Sequence, residues 1–206
     1  MIRFPMGGEM FVNLININMK PEEYFLELIN QMISTPISAI DVGYKEFFEE
    51  EFKNNNIEGS HKFIMVYLEY FYLLFHLLKR ELLNLTDIEE TQRIAFIRII
   101  QPGLAKDVVD KYFTGSETWN EFVMLKKMNE SELDYSKCNE LIPPGERAFV
   151  ETAMSTRLGK RIAEILTPQS EEAMIKIIVC AAKGIIAMSS TIKSMPKLIT
   201  EAIKII

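Results

Sequence analysis

SHKFIMVYLEYFYLLFHLLKRELLN, residues 60–84, decides the fold. At 3.6 residues per turn it makes one helix of about six to seven turns. On a helical wheel His61, Lys62, Glu69, His76, Lys79 and Arg80 share a stripe about 100° wide, which reads as the face turned to water. Phe63, Ile64, Val66, Tyr67, Leu68, Phe71, Leu74, Phe75, Leu78 and Leu82 cover the rest of the circumference. A helix at the rim of a globule needs only a minority apolar face, so this one must be surrounded on most sides. Ser60 stands where an N-cap belongs.

Outward from that helix the chain reads as all-α. Residues 1–206 form a single bundle-like domain of about eight to nine helices, with segments 1–19 and 129–145 as exceptions. Residues 1–19 include LININM, which alternates apolar residues and Asn as a strand does, and are read as an extended arm, or as an edge that pairs with a second copy. Pro21 opens the first helix, with Glu22 and Glu23 at its positive end. The prolines at 36, 102 and 196 are each expected to end a helix. Thr86 with Glu89, and Thr118 with Glu121, read as capping boxes, and Thr167-Pro168 as a cap followed by a first-turn proline. From Asn129 to Gly145 the apolar period fails, and this segment is read as an irregular connector or a lid.

Composition narrows the function classes. The apolar share is 48%, too high for a disordered chain, and the formal charge of −6 argues against a general nucleic-acid binder. The charge is uneven: residues 1–100 hold 9 Lys and Arg against 15 Asp and Glu, whereas residues 147–206 hold 9 against 5. Such asymmetry can steer self-association or a polar partner. The longest run without a charge, Leu28 to Ile40, spans 13 residues and contains Pro36, so no membrane span is expected. Two cysteines, Cys138 and Cys180, fit neither a disulfide framework nor a metal spacing, and a reducing, cytoplasmic setting is the expectation.

Motifs for chemistry are sparse. Glu58-Gly59-Ser60-His61 spells an ExxH, the spacing that aims paired ligands into a di-iron bundle, and Glu69 and His76 share a face with His61. His76 has Leu73 rather than Glu three residues before it, and the chain holds 2 histidines, so no metal and no cofactor is expected. Ser190-Thr191-Ile192-Lys193 matches S-x-x-K but lacks the S-D-N and K-T-G that this chemistry needs. Arg157, Lys160 and Arg161, with Arg147 upstream, form a basic cluster that fits either an anion contact or simple pairing along a helix.

One further spacing matters. Ala173, Ile177, Cys180, Gly184, Ala187 and Thr191 follow intervals of 4, 3, 4, 3 and 4 and make a seam of mostly small residues. Cys180, Gly184 and Ala187 are therefore candidate interface residues, facing either a helix of the same chain or the same seam of a second copy. The functional expectation is a non-catalytic helical protein that works by association with itself, as a dimer, or with a protein partner. Its rival is a pocket protein, a sensor or carrier, that holds an apolar small molecule among the 12 methionines and the aromatic residues.

Overall fold

The computed structural model describes residues 19–49, 60–142 and 152–206. Among them are seven α-helices: α1 Pro21–Tyr44, α2 His61–Asn84, α3 Glu90–Tyr112, α4 Glu121–Tyr135, α5 Met154–Leu166, α6 Glu171–Ala187 and α7 Ser189–Ala202. Short 3-10 turns follow α1 (Lys45–Phe47) and α7 (Ile203–Ile205). No strand forms among the described residues, apart from an isolated parallel bridge between Glu140 and Ala153. The expected N-terminal arm lies outside the described residues, except for Met19, which packs on the core.

Helix α2 is the centre that its sequence predicts. From Phe63 to Leu78 every residue except Met65 is buried. The helix packs against α1, α3, α4, α5 and α7, and reaches α6 through Tyr70. Ser60 accepts a hydrogen bond from the Phe63 amide at 3.3 Å, as expected of an N-cap.

Three expected breaks do not occur. Pro36, Pro102 and Pro196 all lie inside helices α1, α3 and α7. An interior proline removes one helical hydrogen bond and costs about 3 kcal/mol in isolation. In α1 the surroundings outweigh that cost, because Leu28, Met32, Thr35, Pro36, Ala39, Ile40, Gly43 and Tyr44 form one buried face running straight through the proline. The helix expected at 21–35 thus runs on through the first part of the one expected at 36–53, as far as Tyr44, and with the continuous α3 this leaves seven α-helices among the described residues. The break expected at Pro196 falls instead at Met188, where α6 and α7 meet at 43° around a fully buried side chain.

Three caps also differ from expectation. Glu89 stands at the N-cap of α3, Asn120 caps α4 by accepting from Val123 N at 3.0 Å, and Ser170 caps α6 by accepting from Ala173 N at 3.2 Å. Thr167, expected as a cap, instead takes a left-handed conformation with φ of 50° and closes α5. The expected irregular segment starts late as well: α4 continues through Asn129 to Tyr135, and only 136–142 is non-helical before the described residues stop.

The seam on α6 is filled from within the chain. Gly43 of α1 approaches so closely that a Cβ there would lie 2.6 Å from the Cys180 carbonyl oxygen. A Cβ on Gly184 would lie 2.0 Å from Tyr70 Oη. Cys180 and Gly184 are therefore packed against α1 and α2, while Ala187 is half-buried. The tyrosines beside the seam are anchored by main-chain carbonyls: Tyr44 Oη donates to Ile177 O at 2.8 Å, and Tyr70 Oη donates to Ala181 O at 3.4 Å. Burial pushes both phenols well above their ordinary pKa, so both remain donors.

No single helix among the described residues is long and apolar enough to cross a membrane. The bent pair α6–α7 has the length and composition only when joined, and it buries Ile177, Ile178, Ile185, Met195, Leu198 and Ile199 inside the molecule.

Candidate functional site

The other flank of α2 is polar. Glu69, expected on the water-facing stripe, is 8% exposed, and His76 is 3% exposed. The stripe is buried at these two positions because α4 and α5 supply partners there, while His61, Lys62 and Arg80 are exposed as expected. Arg161 of α5 donates through Nε to Glu69 Oε2 and through Nη2 to Glu69 Oε1 at 3.1 Å, a two-pronged pair. The same Nη2 reaches Ser131 Oγ at 2.8 Å, and Nη1 reaches Asp134 Oδ2 at 3.4 Å. The guanidinium also sits 5.7 Å from the centre of the Tyr135 ring, within cation–π range.

A second pair lies further along α2. His76 Nδ1 is 3.1 Å from Glu132 Oε2, and Lys79 Nζ is 3.4 Å from the other oxygen of that carboxylate. Burial alone would raise the Glu132 carboxyl, but the bonds from His76 and Lys79 outweigh it and hold its pKa below the ordinary value. At Glu69 the balance differs: burial raises the carboxyl, with the Arg161 bonds pulling the other way. Arg161 stays charged because its own burial is outweighed by the contact with Glu69. Tyr135 is fully buried, its Oη lacks a hydrogen-bond partner among the described residues, and burial lifts its phenol far above the usual range.

The Glu69–Arg161–Asp134 group borders a cleft of about 530 Å³. Its floor is α2, through Met65, Glu69 and Tyr72; one wall is α4, through Lys127, Glu130 and Asp134. The facing wall is α5, where Arg157, the adjacent Lys160 and Arg161, and Glu164 lie on successive turns. Trp119 closes the cleft from the loop before α4. That loop is ordered by Ser116 Oγ, which accepts from the Thr118 and Trp119 amides at 3.3 and 3.1 Å, and by the stacking of Trp119 on Phe113 with centroids 4.5 Å apart. The lining is mixed, with Met65, Tyr72, Trp119 and Ile165 adding apolar surface to these charged groups.

Three of the four residues of the expected basic cluster line this cleft; Arg147 lies outside the described residues. Arg161 is committed to Glu69, Ser131 and Asp134, and Arg157 Nη1 is 3.6 Å from Asp134 Oδ1. Of the metal candidates, Glu69 and His76 are taken up by Arg161 and Glu132, while His61 is exposed at the start of α2. No group of three or more His, Cys, Asp or Glu that could hold a metal ion occurs among the described residues.

Sequence reading missed Trp119, Ser131, Glu132, Asp134 and Tyr135. A signal was present: Met124, Met128, Ser131 and Tyr135, the buried residues of α4, are spaced 4, 3 and 4, so the helical stripe carries on through a polar residue. No family model, no characterised protein and no solved structure matches this chain.

Proposed function

We propose that this protein binds a small molecule in the cleft between α2, α4 and α5, and that it holds that molecule rather than transforming it. The observation that carries this reading is the mixed lining of the cleft, where interlocked ion pairs stand together with Met65, Trp119 and Ile165. A ligand with both a polar group and an apolar body finds partners of both kinds there. The volume, about 530 Å³, lies in the range of small-molecule sites, about 300–1,000 Å³. Glu69, Arg161 and Asp134 are bound to one another, which suits a rigid rim better than proton transfer. Native mass spectrometry of gently purified protein tests this. The expected spectrum contains a small adduct that is lost on denaturation. A bare chain, together with no shift in melting temperature across a chemically varied set of small molecules, would overturn the reading.

A second reading, association with another copy or another protein, draws on a different surface. Val42 and Val179 are 59% and 40% exposed beside Phe47, and Ile175 and Ile186 extend the same outer face of α6. Lys45, Lys176 and Lys183 border this patch. Light scattering of the wild type and of Val179→Glu separates the cases: a mass of two chains that falls to one in the variant supports self-association through this face. A single-chain mass for both proteins removes self-association through it.

A further inference from the structure

The end of α1 and the outer face of α6 enclose a recess of about 210 Å³. Its lining joins Gly43 and Cys180, which are buried, to Val42, Phe47 and Val179, which are exposed, so apolar surface surrounds a depression. Ile175 and Ile186 continue the exposed apolar surface along α6, a span of about 16 Å at 1.5 Å per residue. The recess is smaller than most small-molecule sites, about 300–1,000 Å³, and suits a single protruding side chain. Its charges are not balanced. Lys45, Lys176 and Lys183 meet one carboxylate, Glu46, which leaves two positive charges uncompensated. Lys176 is engaged, with its Nζ 2.5 Å from Glu46 Oε2 and 5.7 Å from the centre of the Phe47 ring. Lys45 and Lys183 are exposed, and neither forms an ion pair among the described residues.

Resting on the second reading above, that this face is an association surface, we propose that its occupant is an acidic amphipathic helix of another protein. One large apolar side chain of that helix fills the recess, and carboxylates beside its apolar stripe meet Lys45 and Lys183. About three turns of helix match the span from Ile175 to Ile186. A second copy of this chain fits poorly. A two-fold contact centred here brings the same two unpaired lysines from each side, and like charges set together are disfavoured. An anionic lipid surface complements the lysines, but it rewards apolar groups that stand furthest out and offers no side chain to a depression.

Two labelled peptides of about 14 residues, roughly four turns of helix, share one stripe of leucines and differ only beside it. One carries glutamates there and the other lysines. Fluorescence anisotropy of each is followed as the full chain is added. The glutamate peptide should bind saturably, about tenfold or more tightly than the lysine peptide, and should weaken as salt is raised. Val179→Glu sets a charge in the apolar lining and should abolish that binding. Lys45→Glu combined with Lys183→Glu should reverse the preference between the two peptides.

If the lysine peptide binds as tightly as the glutamate peptide, or the preference survives the double reversal, the acidic-helix assignment is wrong. A glutamate peptide that binds Val179→Glu as well as wild type sits elsewhere, and the recess is not its site. Absence of saturable binding by the glutamate peptide overturns the proposal as well. Two parallel measurements show whether the association face falls with it. A two-chain mass in light scattering that Val179→Glu reduces to one keeps the face and makes a second copy its occupant. Sedimentation with phosphatidylserine vesicles that Val179→Glu abolishes keeps the face and makes a lipid surface its occupant. If peptides, mass and vesicles are all negative, the face and its proposed occupant fall together. The ranking of the two peptides on the wild-type chain needs no variant, so it stands even if the double reversal folds poorly.

Discussion

Helix α2 is held on two flanks by different physics. Toward α1 and α6 it meets shape: Tyr70 fills the space left by Gly184, and Tyr44 and Tyr70 stand edge to face with centroids 6.2 Å apart. Toward α4 and α5 it meets charge: Glu69 with Arg161, and His76 with Glu132. The first flank tolerates no added atom, and the second tolerates no missing partner. A packed apolar contact can give up a methyl group at moderate cost, whereas a buried ion pair that loses one member leaves the other uncompensated. The charged flank is therefore the one whose disruption should cost most, although the pair itself adds little net stability.

Arg161→Met tests that claim most severely. It strands Glu69 in the core and should lower stability by about 3–5 kcal/mol in a urea titration. Replacing both partners, Glu69→Met with Arg161→Met, should recover most of the loss, because two apolar side chains of similar length need no counter-charge. If the double variant is as unstable as the single one, the bonds to Ser131 and Asp134 and not the Glu69 pair fix this flank.

Gly184→Ala probes the other flank and should cost about 1–3 kcal/mol, the usual range for overpacking. The added Cβ meets Tyr70 Oη at 2.0 Å and Tyr70 Cζ at 2.6 Å. Removing the hydroxyl with Tyr70→Phe therefore relieves only part of the clash, and the double variant should stay below wild type in melting temperature. Full rescue by Tyr70→Phe would show that the ring can shift and that this flank is looser than its contacts indicate.

The two flanks were not equally legible in the sequence. Tertiary packing followed from spacing where the contact is apolar: the buried span of α2 and the small-residue seam of α6 both appear as periodic patterns. The charged flank was hidden because its inward positions are polar. Ser131 and Asp134 interrupt the apolar period of α4, so a helix reads as an irregular segment, and Glu69 and His76 read as water-facing until α4 and α5 supply partners far away in sequence. The prolines misled for a related reason. Local geometry argues for a break at Pro36, and only the continuous buried face on both sides overrides it. The cleft shares this limitation, since its walls come from three helices and a loop whose juxtaposition no local pattern encodes.

The pH response sharpens the charged side. Glu132 has a folded pKa below the ordinary value of 4.5. Its contribution is therefore fully present above pH 4.5 and is lost as the pH falls through the lower folded value. Glu132→Gln should cost about 1–2 kcal/mol at pH 7, and the gap from wild type should narrow steadily below the unfolded carboxyl pKa. Urea midpoints at pH 7, 5 and 3.5 measure it. A gap that does not change with pH would mean that Glu132 acts through its shape and not its charge.

The smallest effect is expected where neither flank reaches. Gly103 follows Pro102 in the middle of α3, a pair that reads as a turn in sequence yet stands within a continuous helix. A Cβ at Gly103 meets nothing within 4 Å, in contrast to Gly184 on the packed flank. Glycine inside a helix costs about 0.8–1 kcal/mol relative to alanine, chiefly through the freedom it retains in the unfolded chain. Gly103→Ala should therefore raise stability by up to about 1 kcal/mol, while Gly184→Ala lowers it. The two variants make the same chemical change, one methyl group on a helical glycine, so their difference isolates the surroundings. Should Gly103→Ala instead destabilise the chain, α3 would be bent or open at Pro102 in solution, and the break expected from its sequence would be the better description of that helix.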